Sequence, residues 1–141
     1  MPAAVVYDPD GVLPSSFASD TGLRDAVVRV ESASDACRLG RDALVLVLVA
    51  GRDNSGAYGL LALFRGRRMP RLVLFTSEAR HHRRLLIRAG RHDAIVLVAQ
   101  SPATLTECVR GLLLHPPVVG AAHRNAGRSG TGSVPIAPPI P

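Results

Sequence analysis

Two short apolar runs lie one helix length apart in the sequence: Pro70-Arg71-Leu72-Val73-Leu74-Phe75-Thr76-Ser77 and Asp93-Ala94-Ile95-Val96-Leu97-Val98. Each run is short and rich in β-branched residues, as expected of a strand with both faces buried. The segment between them, 79–89, has the length of a helix. A strand, a helix and a second strand in this order predict two parallel strands joined by a crossover helix.

The same alternation extends in both directions along the chain. It predicts five strands, at Ala3–Tyr7, Ala26–Val30, Leu44–Val49, Arg71–Phe75 and Ala94–Val98. It also predicts five helices, at about 16–23, 34–39, 57–66, 79–89 and 102–114. Ser32 or Ser34 is expected to cap the second helix, Ser101 to cap the fifth, and Gly90 to end the fourth. The sequence therefore predicts a five-stranded, parallel, doubly wound α/β domain.

The chain of 141 residues is long enough for one domain with a hydrophobic core. Its composition changes to Pro, Gly, Ser and Ala near the end, which predicts a folded domain over 1–116 and a disordered tail or truncated linker over 117–141. The longest apolar run, Ala43 to Ala50, is far shorter than the ~20 residues of a membrane span. The first residues lack the basic region of a secretory signal, so we expect a soluble, cytoplasmic protein.

All 17 basic residues are arginine, and the formal net charge is +6. The absence of lysine excludes a P-loop nucleotide site and Schiff-base chemistry, both of which need that amine. The two cysteines, Cys37 and Cys108, have no partner at metal-ligand spacing and are expected to be buried thiols. Adjacent histidines, His81 and His82, would point apart on a helix. The sequence therefore predicts no metal site and no cofactor.

The order of elements resembles the receiver domain of bacterial response regulators, and the likeness covers nearly the whole predicted domain. It is strongest from Pro70 through the second apolar run to a final helix that opens at Ser101-Pro102. The resemblance implies a flavodoxin-like fold and a place in two-component signalling. It also implies an output or dimer surface formed by the fourth helix, fifth strand and fifth helix.

A phosphorylated receiver needs an acid pair after its first strand to hold Mg²⁺, an aspartate at the end of its third, a hydroxyl after its fourth and a lysine after its fifth. The family's pattern places Asp8 in the acid pair, with Tyr7 in the other position unless Asp10 substitutes. Valines take the acceptor and lysine positions. The corresponding degenerate pocket comprises Asp8, Asp10, Val47, Thr76, Ser77 and Val98. The resemblance thus implies a pseudo-receiver, of the kind found at the front of helix-turn-helix regulators, which acts without phosphorylation.

A second resemblance is carried by Val5-Val6-Tyr7-Asp8-Pro9-Asp10-Gly11-Val12-Leu13, which is similar to the first motif of haloacid-dehalogenase-type phosphatases. It implies Asp8 as the nucleophile and Asp10 as the acid/base of a small Mg²⁺-dependent phosphohydrolase. That family also uses a basic residue, usually lysine, and a later acidic pair. Here the only acid after Asp93 is Glu107. This activity is kept as the alternative to a non-enzymatic regulatory role.

The fourth predicted helix carries a cationic face formed by Arg80, Arg84, Arg88 and Arg91 at helical spacing. On a receiver this helix belongs to the output surface, so the face predicts contact with a protein partner or a second copy of the chain. An ordinary solvated face is the simpler alternative. No aromatic residue interleaves these arginines, which makes direct nucleic-acid binding an unfavoured interpretation. We expect a regulatory module that acts by protein contact in transcriptional regulation.

Overall fold

The structure, a computed structural model, describes residues 2–115, and the predicted tail at 117–141 lies outside the described residues. The strands in this part are β1 (Ala4–Tyr7), β2 (Val27–Val30), β3 (Val45–Val49), β4 (Arg71–Thr76) and β5 (Ile95–Val98). The α-helices are α1 (Phe17–Asp20), α2 (Ala33–Gly40), α3 (Ser55–Leu63), α4 (Arg83–Arg91) and α5 (Pro102–Leu114). Short 3₁₀ turns at Arg24–Ala26 and Ala79–His82 precede β2 and α4.

All strands of the sheet run parallel in the order β2-β1-β3-β4-β5. The chain adds β2 on one side of β1 and then adds β3, β4 and β5 on the other side. This reversal makes β1 and β3 neighbours at the centre, with Tyr7 paired with Leu48. The topology is that of a doubly wound, flavodoxin-like α/β fold, and it confirms the predicted fold class. Within residues 2–115, no helix is long and apolar enough to cross a membrane.

Helices cover the sheet on both sides and bury two apolar layers. On one side α2, α3 and α4 pack on side chains such as Leu46 and Leu74. On the other side α1 and α5 pack on side chains such as Val47 and Phe75. Every residue of β1 and β3 is buried. A strand covered on both faces needs apolar residues at consecutive positions, and this explains the uninterrupted apolar runs that predicted these strands.

The edge strand β5 departs from this pattern. Ile95 and Leu97 pack inward beside α5, whereas Val96 is 37% exposed and Val98 is 52% exposed on the opposite face. These two valines lie on the α4 side of the sheet, because their partners in β4 are Leu74 and Thr76. The prediction of a sheet covered on both faces is therefore wrong at this edge, where α4 leaves the outer side of β5 open.

Helix ends also differ from the expected ones where turn chemistry decides them. Ser32 caps α2 and Ser101 caps α5, since their side chains accept hydrogen bonds from Asp35 N and Ala103 N at 3.0 and 3.1 Å. Gly90, in contrast, lies inside α4. The chain leaves that helix at Asp93, which takes the positive φ of 59° that a glycine would ordinarily supply. The helix predicted over 16–23 shortens to Phe17–Asp20, because the Thr21 hydroxyl bonds to Ala18 O and ends it.

Truncating a core leucine of α3 tests the packing. Leu61 is fully buried among α3, α4 and the sheet, whereas Leu63, on the same helix, is 47% exposed. We expect Leu61→Ala to lower the free energy of unfolding by about 2–5 kcal/mol, because it removes buried methyl groups and leaves a cavity. Leu63→Ala is the matched control and should cost well under 1 kcal/mol in the same urea titration. Equal losses for the two variants would contradict the described orientation of α3.

Candidate functional site

The carboxyl ends of the strands form the edge at which doubly wound folds bind their ligands. Asp8 follows β1 directly, and Thr76 ends β4. The loops after β1 and β3 meet here through a hydrogen bond that Arg52 N donates to Asp10. The structure therefore brings most of the predicted pocket residues to one edge.

Asp8 is used to shape the loop that follows β1. Its side chain is 1% exposed, and its two carboxylate oxygens accept hydrogen bonds from Val12 N at 2.8 Å and Leu13 N at 2.9 Å. The guanidinium of Arg29 lies 3.7 Å from the carboxylate and donates to the carbonyls of Leu13 and Pro14. Each oxygen of Asp8 thus already has a donor from the protein's own backbone. The carboxylate points into the loop rather than out to a ligand.

Asp10 ties the β1 loop to the β3 loop. Its Oδ2 accepts a hydrogen bond from Arg52 N at 2.7 Å. Gly51 lies directly beneath this carboxylate, and a Cβ at that position would overlap it. The N–H of Gly51 donates to Asn54 Oδ1 at 2.9 Å, which holds the β3 loop in place. Asp10 therefore faces Arg52 across the edge and serves as a fastening between two loops.

Tyr7 fills the space beside these acids. It is buried, and its hydroxyl lies so close to Gly56 of α3 that a side chain at 56 would overlap it. Burial raises the pKa of Tyr7, and the negative charges of Asp53 and Asp10 raise it further. The pKa of Asp53 is lowered by hydrogen bonds from Ser55, above all from its backbone N–H. A neutral phenol thus occupies a position at which a receiver carries an acid.

The end of β3 is apolar. Val47, the predicted acceptor position, does not lie at the edge: it pairs with Val6 and Val73 in the buried middle of the sheet. The strand continues to Val49, two residues beyond, because Val49 still pairs with Phe75 of β4. No residue from 43 to 52 is acidic, so neither the predicted acceptor position, Val47, nor the observed end of β3, Val49, carries a carboxylate.

The positions after β4 and β5 are also engaged or turned away. Thr76 is buried, and its hydroxyl oxygen accepts a hydrogen bond from Glu78 N at 3.0 Å. The carbonyl of Ser77 accepts a hydrogen bond from Gln100 Nε2 at 3.2 Å. Val98 lies on the open outer face of β5. Of the predicted pocket, Asp8, Asp10, Thr76 and Ser77 take part in hydrogen bonds that hold the loops, Val47 lies in the middle of the sheet, and Val98 pairs with Thr76 but is exposed on the outer face of β5.

The cysteines, acids and histidines of the described residues are candidates for metal ligands or nucleophiles. Within residues 2–115, no group of three or more His, Cys, Asp or Glu side chains is arranged to hold a metal ion. Cys37 and Cys108 are free thiols, both partly buried. Burial raises the pKa of Cys108 to about 11, although the charge of Arg71 opposes it slightly. A thiol with that pKa is almost entirely protonated near neutral pH and is a poor nucleophile.

The cationic face lies on the side of α4 that faces α3. The guanidinium of Arg88 stacks over the ring of Tyr58 in α3, with 5.5 Å between the guanidinium carbon and the ring centroid. A depression of about 380 Å³ is lined by Tyr58, Arg84, Ile87, Arg88 and Arg91. A second, of about 330 Å³, shares Tyr58 and Arg84 with it and is also lined by Asn54, Arg80, His81, His82, Arg83 and Leu85. We call the two together the α3–α4 groove.

The structure thus separates two surfaces that the sequence analysis predicted to be one output surface. The predicted cationic residues come together, but in the α3–α4 groove and not beside β5. The outer side of β5, formed by Val96 and Val98, is a separate apolar patch, called here the β5 face. Sequence reasoning missed the contribution of Tyr58, since a single aromatic residue in a mostly apolar helix carries no signal of what lies across from it.

Comparisons of the chain with protein-family models, with curated proteins and with solved structures find no match. The architecture is established by the strand order and the helices on both sides of the sheet. The chemistry of the site follows from its contacts: three loop acids, Asp8, Asp10 and Asp53, each bonded to backbone amides of the same chain.

The structural role of Asp8 is open to a direct test. We expect Asp8→Ala to lower the free energy of unfolding by about 1–3 kcal/mol, because the N–H groups of Leu13, which is buried, and of Val12 lose their acceptor. Asp8→Asn keeps one acceptor oxygen and should fall between this variant and the wild type. Asp42→Ala, at an exposed position, is the control and should stay within about 0.5 kcal/mol of the wild type in chemical denaturation. An Asp8→Ala protein as stable as the control would contradict the role assigned to these bonds.

Proposed function

We propose that this chain is a phosphorylation-independent regulatory module, resembling a receiver domain that has lost its phosphotransfer chemistry. It acts in the cytoplasm by contact with other proteins, in transcriptional regulation, and not as an enzyme. The observation that carries the proposal is the state of the carboxyl edge of the sheet. The acids at that edge are bonded to the protein's own loops, and the buried Tyr7 places its hydroxyl against Gly56 of α3.

The chemistry of aspartyl phosphorylation explains why this observation matters. Phosphoryl transfer needs an accessible carboxylate, a bound divalent cation and a positive group to balance the charge of the transferring phosphoryl. Here β3 ends in Val49 and is followed by Ala50, and the resemblance puts Val98 at the lysine position. The chain contains no lysine that could take that role from elsewhere. The acceptor aspartate and the lysine of the receiver pattern are thus both missing.

The alternative, a phosphohydrolase built on Asp8, is disfavoured by the same contacts. To attack phosphorus, the Asp8 carboxylate would have to leave the N–H groups of Val12 and Leu13 and reach solvent from a buried position. Both amides would then lose their partners. One oxygen of Asp10, the acid/base of that mechanism, is engaged by Arg52 N.

Incubation with Mg²⁺ and acetyl phosphate tests the proposal. We expect the intact mass of the protein to stay unchanged. Acetyl phosphate should be consumed no faster than in the same mixture without the protein. A receiver domain that carries its aspartate and lysine, treated in the same mixture, is the positive control. Either a mass gain of one phosphoryl group or turnover of acetyl phosphate would refute the proposal if it disappears in Asp8→Asn. Such a result would favour the phosphohydrolase hypothesis.

The β5 face supports the interaction part of the proposal. Edge strands with exposed apolar side chains tend to pair or to be covered, because their backbone groups and side chains remain available to another chain. Val96 and Val98 offer such a patch on the α4 side of the sheet. The surface that the resemblance implies for dimerisation or output would include this strand.

We expect the purified protein to self-associate through the β5 face at micromolar concentrations, and Val98→Glu to shift it to monomer in sedimentation velocity. The cause is a charge introduced into an apolar contact. Leu63→Glu, which places the same charge at an exposed apolar position on α3, should leave the association unchanged. If the wild type is monomeric at every concentration, or if both variants behave alike, self-association through this face is rejected.

A further inference from the structure

The α3–α4 groove concentrates positive charge without compensation. Five arginines line it: Arg80, Arg83, Arg84, Arg88 and Arg91. In the part of the chain that the structure describes, none of them has a carboxylate within ion-pair distance. The carboxylate of Glu78, two residues before Arg80, accepts a hydrogen bond from His81 at 2.8 Å.

This arrangement opposes the stability of the helix that carries it. Like charges one turn apart on a helix repel each other, as Arg84 and Arg88 do on α4. Arg83 and Arg84 also lie in the first turn, where the helix dipole disfavours cations. A bound anion would relieve both effects, so the groove gains more from an anionic ligand than isolated surface arginines would.

The groove is also held in shape before any ligand arrives. Leu85 and Ala89 anchor α4 in the core, and Arg88 is fixed over the ring of Tyr58. At the other end, His82 Nδ1 lies 3.0 Å from the side-chain amide of Asn54. Because Asn54 Oδ1 is taken by Gly51 N, its NH₂ group donates to His82. A preformed site of this kind loses little conformational freedom on binding.

An apolar side chain is set among the charges. Ile87 is 55% exposed and lines the groove with Arg84, Arg88 and Arg91. A ligand that only neutralised charge would leave this isoleucine in water. A ligand that carries both carboxylates and an apolar side chain would bury it and pair with the arginines.

We propose that the α3–α4 groove binds an acidic segment of a protein partner, in which carboxylates pair with Arg84, Arg88 and Arg91 while an apolar side chain packs on Ile87. The inference rests on the proposed function only in that the chain acts by protein contact, and it concerns a surface separate from the β5 face. Nucleic acid fits the groove less well. One face of Tyr58 is already covered by Arg88, and among the described residues no other Tyr, Phe or Trp lines the groove for base stacking.

The test uses a short fluorescein-labelled peptide of aspartate and glutamate with one central leucine, titrated with the full chain at physiological ionic strength. Fluorescence anisotropy reports binding. We expect Arg84→Glu/Arg88→Glu to weaken the affinity about tenfold or more. The control Arg24→Glu/Arg41→Glu makes the same change in net charge at two exposed positions outside the groove and should retain most of the affinity. Circular dichroism of each variant establishes that it is folded.

The apolar contact is tested separately by exchange of the leucine for serine. We expect this peptide to bind several-fold more weakly to the wild type and Ile87→Ser to weaken the leucine peptide to a similar degree. The two changes together should cost little more than either alone, because both remove one contact. Oligothymidylate of similar length, titrated alongside, should bind more weakly than the leucine peptide.

Three results would overturn the proposal. They are equal losses in the groove and control double variants, tighter binding of oligothymidylate than of the peptide, and no binding of the leucine peptide. The first would reduce the effect to net charge, and the second would make the groove a nucleic-acid site. Uptake of a phosphoryl group from acetyl phosphate would refute the proposed function and leave these titrations unaffected, so the two failures are distinguishable.

Discussion

The two hydrogen bonds from Val12 and Leu13 to the buried Asp8 carboxylate are the contact on which this edge of the molecule depends. They turn the chain sharply after β1 and direct Leu13 into the core layer that also holds Phe17 and α5. A buried charge without such donors would be unstable, and amides without the charge would lose their acceptor. The loop conformation and the Asp8 carboxylate therefore depend on each other. While the carboxylate holds the loop, its two oxygens are occupied by Val12 N and Leu13 N.

The negative and the positive side chains therefore have different roles in the molecule. At the carboxyl edge, Asp8, Asp10 and Asp53 accept hydrogen bonds from backbone N–H groups, which tie the loops together there. In the described part of the chain, none of the α4 arginines has a carboxylate within ion-pair distance, and they line the α3–α4 groove. Charge inside the loops stabilises the fold, whereas charge on α4 is free to act on another molecule. A regulatory contact is what this distribution favours.

The fold was predictable because each central strand is a short, unbroken apolar run, which is typical of a parallel strand buried on both faces. The serines that cap α2 and α5 were predictable for the same reason, since their effect is local. The place of Val47, the open side of β5 and the direction of the arginines were not. Each depends on where a neighbouring element lies, and residue spacing within one segment does not encode it. Tyr58 illustrates the limit, because its role appears only when Arg88 is placed across from it.

The position of α4 between the two surfaces gives it a particular importance. Its arginines face α3, its Leu85 and Ala89 enter the core, and its far side borders the exposed valines of β5. Two surfaces are coupled only when binding at one shifts an element that the other also touches. In the described part of the chain, α4 is the helix that borders both surfaces, and only two of its side chains are fully buried. A receiver transmits its signal from a phosphorylated pocket. In the regulatory module proposed for this chain, α4 would instead connect a groove for an acidic segment with the β5 face.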